Sequence, residues 1–415
     1  MSAPNRASSA RDERMMRRAL RAAARGDGLT HPNPSVGAVV YRGEQILGIG
    51  TTRPPGGPHA EIVAMDRARR RHGAAALRGA TLAVTLEPCN FVGRTGACTE
   101  AIAAAGIGRV VAGCRDPHAR VSGRGFARLR RAGIAVTTGV LDGECRAQHR
   151  GFISVCERGR PFVTLKLAAT LDGRIAVASG ESRWITSAAS RAAVHRLRLA
   201  HDAVMVGSAT AIADDPELSA RRGDRILRWP VRVLVDGGLR VPARARLFAE
   251  GPGAGGSGLS ERAPGRAATG VPETWIVCRE GVRGIASARK RAARVFETPR
   301  VESGHVDLTQ AMRSLAEAGL TTILVEGGGR LAAALLQADL VDEVHWFLAP
   351  RLIGDDGRPA LGAMGIRRLR DALRIDEIAV RRCGSDLHLT GCVSREGKSS
   401  LAGRSTRKRR TKART

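Results

Sequence analysis

Residue types that bind transition metals occur in an ordered series near the start of the sequence. His59 is followed two residues later by Glu61, and Pro88-Cys89 is followed by Cys98. One imidazole and two thiolates provide three zinc ligands and leave the fourth coordination position to water. Zinc lowers the pKa of bound water towards neutrality, and Glu61 is placed to move protons without binding the metal. The series therefore indicates metal-assisted hydrolysis.

The order of these residues, His-x-Glu followed by Pro-Cys and a second cysteine, is typical of zinc nucleobase deaminases. The usual pattern has two residues between the cysteines, whereas here eight residues, NFVGRTGA, separate Cys89 from Cys98. The alternative is a chance coincidence of a helix histidine with two buried cysteines. The strand before Pro88 and the position of Glu61 favour the metal site. Helix N-termini near the ligands favour thiolate over thiol.

The elements that must position these residues follow from hydrophobic periodicity. Strand patterns at 36–41 and 80–88 alternate with helical patterns at 11–25 and from His59 onward. Such alternation through the first 140 residues predicts a mostly parallel sheet in three layers. Residues 142–159 are predicted to be one helical stretch.

The second half of the sequence repeats the α/β pattern from about residue 162. Strand patterns alternate with helical patterns at 187–199, 307–318 and 329–338. The run ILVEGGGRLAAALL at 323–336 predicts a strand, a three-glycine turn and a helix, which aims backbone N–H groups at a phosphate. It is not a G-x-G-x-x-G sequence, so it does not indicate a Rossmann site, and many such turns bind nothing.

Composition limits the classes of protein and partner. The chain of 415 residues has 68 Lys and Arg against 39 Asp and Glu, a net charge of +29, and five of the basic residues are lysine. This charge fits nucleic-acid binding or arginine-lined pockets for phosphorylated small molecules. Aromatic residues make up only 3% of the chain, so we do not expect nucleic acid as the ligand. No apolar run suits a membrane span and the N-terminus lacks a secretory signal, which predicts a cytoplasmic protein.

Longer motifs carry a resemblance to a known family. The segments THPNPSVGAVV, PHAEIVAM, TLEPCNFVGRTGACTEAI and VVAGCRDPHARVSGRGFARLRRAGI resemble the deaminase half of the bifunctional riboflavin-biosynthesis deaminase–reductases. The segments KLAATLDGRIA, SGESRWITS, ATAIADDPELSAR, VEGGGRLAAALL and LVDEVHWFLAPRLIG resemble the reductase half. The resemblance spans roughly residues 12–393 apart from 251–272. It implies an α/β protein with an N-terminal cytidine-deaminase-like three-layer domain and a C-terminal dihydrofolate-reductase-like domain.

For the first half, the resemblance implies zinc-dependent hydrolytic deamination of diaminohydroxyphosphoribosylaminopyrimidine to 5-amino-6-(5-phosphoribosylamino)uracil. Zinc would be bound by His59, Cys89 and Cys98, and Glu61 would carry protons from water to the ring nitrogen and the departing ammonia. Asn33 resembles the residue that orients the base. Phe91-Val92 stands where the family usually has a histidine and another polar or aromatic residue, which affects a substrate contact but no metal ligand.

For the second half, the resemblance implies reduction of the ribosyl group to ribityl with NADPH. The implied cofactor contacts are Ala168, Trp184, Thr210, Asp214, Gly328, Gly329, Arg330, Leu331, Ala332, Ala333 and Ala334. The implied substrate contacts are Ser182, Arg198, Leu218, Arg221 and Glu326. Without the resemblance, Arg198 is equally a solvated helix residue and Trp184 a core aromatic. Asp172 in LDGR fits either a catalytic or a capping carboxylate.

The residues alone are also compatible with two other functions. One is a zinc deaminase acting on tRNA, with the basic tail as an RNA anchor; the cysteine spacing and the reductase-like second half oppose it. The other is a non-enzymatic RNA-binding protein, which leaves the complete zinc site unexplained. Ammonia release from a free pyrimidine nucleotide, or from tRNA, distinguishes the first from the bifunctional enzyme. Salt-dependent RNA affinity without turnover would indicate the second.

The domain organisation follows from these patterns. We expect a disordered N-terminus at 1–10, a zinc-dependent deaminase domain at 11–155 and an NADPH-dependent reductase domain at 156–394. Residues 251–272, rich in Gly and Pro, predict a flexible insertion in the reductase domain, and residues 395–415 a disordered basic tail. The reductase fold that the resemblance implies predicts a homodimer formed through that domain.

Overall fold

The computed structural model describes residues 10–91, 96–249, 272–301 and 304–394. Within them the chain forms two compact units. The first comprises the described residues up to Val163 together with Arg191–Gly328, and the second comprises Thr164–Ser190 and the described residues from Gly329 onward. None of the helices in these ranges combines the length and the apolar character needed to cross a bilayer.

The helices and strands of the described residues are short and alternate along much of the chain. The α-helices are α1 (Ala10–Ala23), α2 (Ala60–His72), α3 (Cys98–Ala104), α4 (Arg124–Arg131), α5 (Asp142–Gln148), α6 (Arg150–Arg158), α7 (Ala188–Ala200), α8 (Ser208–Asp214), α9 (Ile285–Arg291), α10 (Leu308–Glu317) and α11 (Gly329–Gln337). The strands are β1 (Gly37–Arg42), β2 (Gln45–Thr51), β3 (Thr81–Leu86), β4 (Arg109–Cys114), β5 (Ala135–Thr137), β6 (Phe162–Thr170), β7 (Arg174–Ala176), β8 (Ala203–Gly207), β9 (Ala220–Arg222), β10 (Arg225–Arg228), β11 (Val231–Val235), β12 (Thr274–Arg279), β13 (Arg294–Thr298), β14 (Thr322–Glu326), β15 (Glu343–Ala349), β16 (Arg358–Pro359), β17 (Ile375–Cys383) and β18 (Asp386–Val393).

A five-stranded sheet of order β2-β1-β3-β4-β5 organises the N-terminal part of the first unit. Strand β1 is antiparallel to both β2 and β3, whereas β3, β4 and β5 are parallel. Its core joins strand residues such as Val84 and Val111 to Met16 of α1, Ala64 of α2 and Ile102 of α3, all of them buried. The apolar face of each helix is thereby removed from water, which is the main stabilising contribution.

Helices α1 and α2 lie on opposite faces of this sheet, and glycines allow their close approach. A Cβ on Gly37 would lie 1.9 Å from the carbonyl oxygen of Ala19 in α1, and one on Gly50 would lie 2.0 Å from that of Ala60 in α2. Gly50 pairs with Ala38, the neighbour of Gly37, so the two glycines face opposite sides of the pleat. The sheet is therefore the middle of three layers.

Five parallel strands in the order β13-β12-β11-β8-β14 organise the rest of the first unit. Their central residues, such as Val204, Leu234, Ile276 and Leu324, are fully buried. Parallel strands covered on both faces are apolar along their length, and this is the pattern that the sequence shows there. A short antiparallel pair, β9 and β10, precedes β11.

The second unit contains β6, β15, β18 and β17 as neighbours in that order. Strands β6 and β15 are parallel, whereas β15 with β18 and β18 with β17 are antiparallel. Helix α11 begins the second segment of this unit, directly after Gly328. The two-residue strand β16 pairs with β7. Much of β17 is exposed, including Ile378 and Val380.

Several features differ from the sequence-based expectations, and the short elements α8, α9, β9, β10 and β13 were not predicted either. The first sheet is mixed, because β1 and β2 form a hairpin whose turn uses the left-handed Gly43. The predicted helical stretch 142–159 breaks at His149, whose side chain turns inward to Thr85. Strands β17 and β18 were not predicted, since half-exposed strands lack a strong apolar run. Helix α1 already includes Ala10.

Several predicted segments lie outside the described residues. They are residues 1–9 of the predicted N-terminal segment, the predicted insertion at 251–272 apart from its last residue, and the basic tail at 395–415. Their predicted character stays a prediction. The domain limits at 155 and 156 likewise stay predictions.

Candidate active sites

Three segments of the chain leave the five-stranded sheet at one edge. Gly37, the first residue of β1, pairs with Thr51 of β2, and its N–H donates to the Thr85 hydroxyl of β3 at 3.1 Å. The segments that precede β1, follow β2 and follow β3 are therefore neighbours. His59 lies on the second of them and Cys89 on the third.

The three predicted metal ligands lie together at this edge. His59 Nδ1 is 3.1 Å from Cys98 Sγ and 3.6 Å from Cys89 Sγ, and all three ligand atoms lie within 4.8 Å of one another. The Cys98 backbone N–H, at the start of α3, donates to Cys89 Sγ at 3.3 Å. In the described part of the chain, no other three histidine, cysteine or acidic side chains approach so closely.

The chemistry of this donor set fits zinc. Hydrogen bonds from the side chain of Cys98, from His59 and from the Cys98 N–H lower the pKa of Cys89 to about 4. The adjacent Cys89 sulfur and burial raise the pKa of Cys98, so one thiolate opposes formation of the other. A divalent cation bound by both sulfurs would offset that repulsion. Two thiolates and one imidazole are ligands that zinc prefers.

Glu61 completes the site from the first turn of α2. Its side chain is buried, and burial followed by the charge of Cys89 raises its pKa to about 7. A carboxyl with a pKa near neutrality can both accept and donate a proton, as a general acid–base requires. Helix α2 is fixed against β2 by the close approach of Gly48 and Gly50. The sheet therefore determines where His59 and Glu61 lie.

Asn33 lies on the segment that enters the same edge before β1. Its backbone N–H donates to Thr30 O at 2.9 Å, and the Thr30 hydroxyl donates to Asn33 O at 3.0 Å. These two bonds close a turn and leave the Asn33 side chain exposed. The position suits a contact with a ligand at the edge that carries Cys89.

In the first unit, several residues predicted to contact the reductase substrate lie together. Arg198 on α7 forms two hydrogen bonds to the carboxylate of Glu326 at the end of β14, at 2.6 and 2.9 Å. Arg198 Nη1 also donates to Ser219 O at 2.9 Å, and Arg221 Nε donates to Ser219 Oγ at 2.7 Å. Arg221 additionally pairs with Glu217. The carboxylates hold both guanidinium groups, so Arg198 is not a solvated helix residue.

Two predicted cofactor contacts of the first unit are also neighbours. The Gly328 N–H donates to the hydroxyl of Thr210 on α8 at 2.9 Å, which anchors the glycine turn after β14. Asp214 is the last residue of α8. Leu218, a predicted substrate contact four residues further on, is buried with a left-handed φ of 58°. Thr210 thus supports the loop that the sequence predicts to bind phosphate.

The remaining predicted contacts belong to the second unit. Ala168 lies on β6, Ser182 and the exposed Trp184 lie on the segment after β7, and 329–334 form the first turns of α11. Asp172 accepts the N–H groups of Ile353 at 3.0 Å and Gly354 at 2.7 Å. These bonds favour a structural role for Asp172.

Sequence reasoning missed a buried carboxylate beside the zinc ligands. Glu87, directly after β3, accepts the backbone N–H groups of Asp116 at 3.3 Å, Gly123 at 2.9 Å and Phe126 at 3.2 Å. It thereby fixes the 116–126 segment, whose Arg120 guanidinium lies 4.6 Å from the centre of the Phe91 ring. The available signal was an acidic residue at the end of an apolar strand, since a buried carboxylate needs donors.

Comparisons with known proteins cover both halves of the chain. Residues 9–114 match the cytidine and deoxycytidylate deaminase zinc-binding region, and residues 161–389 match the RibD C-terminal domain. The riboflavin biosynthesis protein RibD of Escherichia coli (strain K12) is 39% identical over 395 residues, which cover 92% of this chain and 99% of that protein. The chain belongs to the RibD family.

Other members of the RibD family show the same extent of similarity. RibD of Aquifex aeolicus (strain VF5) is 36% identical, with 91% of this chain and 97% of that protein covered. The structure of Acinetobacter baumannii RibD, form 1, is 31% identical with a TM-score of 0.77, and covers 92% of this chain and 99% of its own. The structure of the Thermotoga maritima diaminohydroxyphosphoribosylaminopyrimidine deaminase/5-amino-6-(5-phosphoribosylamino)uracil reductase is 32% identical with a TM-score of 0.77. That match covers 92% of this chain and 99% of the Thermotoga maritima chain.

Membership of the RibD family confirms the main interpretation of the sequence. The chain is a bifunctional deaminase and reductase of riboflavin biosynthesis, with a cytidine-deaminase-like N-terminal domain and a RibD reductase domain. Its cofactors are zinc and NADPH. The match of residues 161–389 to a reductase domain decides against a tRNA deaminase and against a non-enzymatic RNA-binding protein.

Proposed function

We propose that the chain catalyses two consecutive reactions on one phosphorylated pyrimidine. The first is hydrolytic deamination of diaminohydroxyphosphoribosylaminopyrimidine to 5-amino-6-(5-phosphoribosylamino)uracil, in which water enters and ammonia leaves. The second is reduction of the ribosyl group of that product to ribityl by NADPH. The observation that carries the proposal is the cluster of His59, Cys89 and Cys98 beside the buried Glu61, in a chain that also matches the reductase domain.

In the deamination, His59, Cys89 and Cys98 hold the metal, and zinc bound there supplies Lewis-acid activation of water near neutral pH. Glu61 accepts one proton of the water at its carboxylate and passes it to the ring nitrogen, and then accepts the second proton of that water and passes it to the leaving amino group. Its raised pKa suits both directions of transfer. Asn33 orients the pyrimidine from the segment before β1.

In the reduction, bound NADPH would supply a hydride to C1′ of the ribosyl group, while the bond from C1′ to the ring oxygen breaks and that oxygen takes a proton to become the new alcohol. The protein's contribution is position and charge. Arg221 binds the phosphate, and Arg198 holds the Glu326 carboxylate in place for the substrate. The turn at Gly328, anchored by Thr210, and the residues 329–334 bind the phosphates of the cofactor.

We assign the deaminase domain to residues 11–155 and the reductase domain to 156–394, with cytoplasmic location and a homodimer formed through the reductase domain. The family matches at 9–114 and 161–389 support these limits. Size-exclusion chromatography with light scattering on the full chain and on residues 156–394 tests the dimer. A full chain that elutes as a monomer contradicts it.

The two activities are tested with two variants and two substrates. Glu61→Gln keeps the size and the hydrogen-bonding reach of the side chain but removes the proton shuttle, which is worth roughly 10²–10⁴ in rate. It should stop ammonia release from the diamino substrate and still oxidise NADPH with the deaminated uracil substrate. Arg221→Ala should stop NADPH oxidation with the deaminated uracil substrate and still release ammonia from the diamino substrate.

Matched controls are Glu100→Gln, an exposed carboxylate on α3, and Arg222→Ala, the exposed neighbour of Arg221. Both controls should retain both activities. Equal loss of both steps in the folded Glu61 and Arg221 variants contradicts two separate sites.

A further inference from the structure

The segment that carries Asn33 is fixed to the rest of the first unit at three points. Asp27 Oδ1 accepts the Gln148 side-chain amide at 2.6 Å. Gly28 lies against Arg228, whose Nη1 would be 1.7 Å from a Cβ at that position. His31 Nδ1 lies 3.4 Å from Asp202 Oδ1. The segment with Asn33 belongs to the predicted deaminase domain. Two of its partners, Arg228 and Asp202, lie beyond the predicted domain limit at residue 155.

The third contact is a buried approach of a histidine to a carboxylate that other groups hold in place. His31 and Asp202 are 4% and 3% exposed, so water does not replace either partner. Asp202 Oδ2 accepts the Thr321 N–H at 2.9 Å, the Thr321 hydroxyl at 2.6 Å and the Thr322 N–H at 3.0 Å. These three donors occupy one oxygen and leave Oδ1 facing His31. The carboxylate is thus held by the start of β14.

The electrostatics agree with an ionised carboxylate at this place. Burial opposes the charge of Asp202, but the positive charge of His31 and the Thr321 donors outweigh it, so the pKa of Asp202 lies below its ordinary value. His31 Nδ1 makes no hydrogen bond to a described residue, and Asp202 Oδ1 at 3.4 Å is the acidic group that faces it.

The position of His31 determines that of Asn33. His31 lies inside the turn that two hydrogen bonds close, from the Asn33 N–H to Thr30 O at 2.9 Å and from the Thr30 hydroxyl to Asn33 O at 3.0 Å. The turn has no other polar side chain that is buried and paired with a charge. A shift of His31 therefore moves Asn33 relative to the zinc ligands at the sheet edge.

We propose that Asp202 is a positioning residue for deamination: through His31 it holds the turn that presents Asn33 to the pyrimidine. A residue beyond the predicted deaminase domain thereby supports a substrate contact of the deaminase site. The inference depends on the proposed function of Asn33 and adds a specific partner to it. Asp202 itself does not contact the substrate.

The test measures deamination kinetics of His31→Gln, Asp202→Asn and the double variant in the full chain. Asparagine retains an acceptor for the Thr321 and Thr322 donors. We therefore expect Asp202→Asn to leave the hydrogen bonds at the start of β14 in place. Each single variant should raise the deaminase KM about tenfold, because contacting residues couple by roughly that factor. The double variant should lose no more than a single one. Zinc content and the rate of uracil-substrate reduction should stay within about twofold of the parent.

Asp12→Asn is the matched control. Asp12 is also a buried carboxylate paired with a cation, Arg109, but that pair lies at the opposite end of the sheet from the zinc ligands. Asp12→Asn should lower the melting temperature and leave the deaminase KM unchanged. If His31→Gln and Asp202→Asn behave as Asp12→Asn does, or if their effects on KM add in the double variant, the positioning role is overturned.

A further variant separates this inference from the proposed function. Asn33→Ala should raise the deaminase KM at least as much as His31→Gln. An unchanged KM in Asn33→Ala removes the role of Asn33 and, with it, the role of Asp202, whereas the Glu61→Gln result decides independently whether the zinc site is the deaminase. A raised KM in Asn33→Ala with normal His31 and Asp202 variants overturns only the positioning role.

Discussion

Cys89 and Cys98 lie so close that their ionisations oppose each other. Hydrogen bonds favour the Cys89 thiolate, whose pKa falls to about 4, while that negative charge raises the pKa of Cys98. The pair therefore depends on a cation more than either thiol alone would. Among the described residues, the other cysteines belong to no comparable group of three possible metal ligands.

At the scale of the residue, we predict that Cys89→Ser loses zinc. A hydroxyl is a far poorer ligand than a thiolate, so zinc should fall from about one per chain to a small fraction of that. Deamination should fall with it, and uracil-substrate reduction should continue. Metal analysis after dialysis measures the content, with Cys156→Ser on α6 as the control that keeps its zinc. A fully loaded, active Cys89→Ser protein contradicts the ligand set.

His149 predicts a pH dependence of stability. Burial lowers the pKa of this fully buried side chain to about 4, from an ordinary value near 6.5. Between these values the unfolded chain binds more protons than the folded one, so the free energy of unfolding rises with pH from about 4 to 6.5. The contribution is at most about 3 kcal/mol, and it disappears as the pH falls through this range.

The check is urea unfolding of the parent and of His149→Gln between pH 4.5 and 7. The difference between the two stability curves isolates the contribution of His149, because other titrating groups are shared. The parent should lose stability relative to the variant as the pH falls. If the free energies of unfolding of the parent and of His149→Gln change with pH in parallel over the whole range, the predicted role of His149 is wrong.

At the scale of the element, the zinc site depends on the approach of α2 to β2. Gly48 and Gly50 let the helix backbone lie directly on the strand, and the helix begins next to His59. The helix has no side-chain cap at that end. Packing, and not a capping bond, therefore places the metal-binding end of α2.

We predict that Gly50→Ala displaces α2. Its Cβ would lie 2.0 Å from the Ala60 carbonyl oxygen, which is backbone and cannot rotate away. Overpacking of this kind costs about 1–3 kcal/mol. Zinc content and deamination should fall, measured beside the melting temperature, while reduction is retained. Gly143→Ala on α5, where the added Cβ meets nothing within 4 Å, should change neither; equal behaviour of the two variants would contradict the packing argument.

At the scale of the whole molecule, much of the net charge of +29 comes from arginine spread along the chain, with nine basic residues and one acidic residue in 395–415. The match to the RibD C-terminal domain ends at residue 389. The tail thus lies beyond both regions that the family defines. Neither proposed site draws a residue from it.

We therefore predict that deletion of 396–415 leaves both activities within about twofold of the full chain, since neither proposed site includes a residue of this segment. Ammonia release and NADPH oxidation are measured for both proteins at equal folded concentration. Loss of either activity at an unchanged melting temperature would show that the tail acts in that reaction. The salt dependence of RNA retention, compared between the two proteins, shows how much of any nucleic-acid affinity the tail provides.

The sequence by itself determined the fold class and predicted the metal ligands and their proton-transfer partner, and the structure brings the predicted ligands together. His59, Glu61, Cys89 and Cys98 are separated by local spacings that a strand and two helix starts can bring together, and the residue types define the metal. Buried parallel strands leave continuous apolar runs, so β8, β11, β12 and β14 were predicted closely. Long motifs of the RibD family carried the rest of the functional interpretation.

Tertiary structure alone decided which distant residues act on one another. His31 and Asp202 are 171 positions apart, and the bidentate pair of Arg198 with Glu326 spans 128 positions, so no local pattern links them. The role of Asp172 depends on two N–H groups about 180 positions away. Strands β17 and β18 are recognised only from their pairing in the structure. They are half-exposed, so hydrogen bonds between strands define them and the sequence shows no apolar run. Periodicity reports which face of an element is buried, and chain geometry decides what covers it.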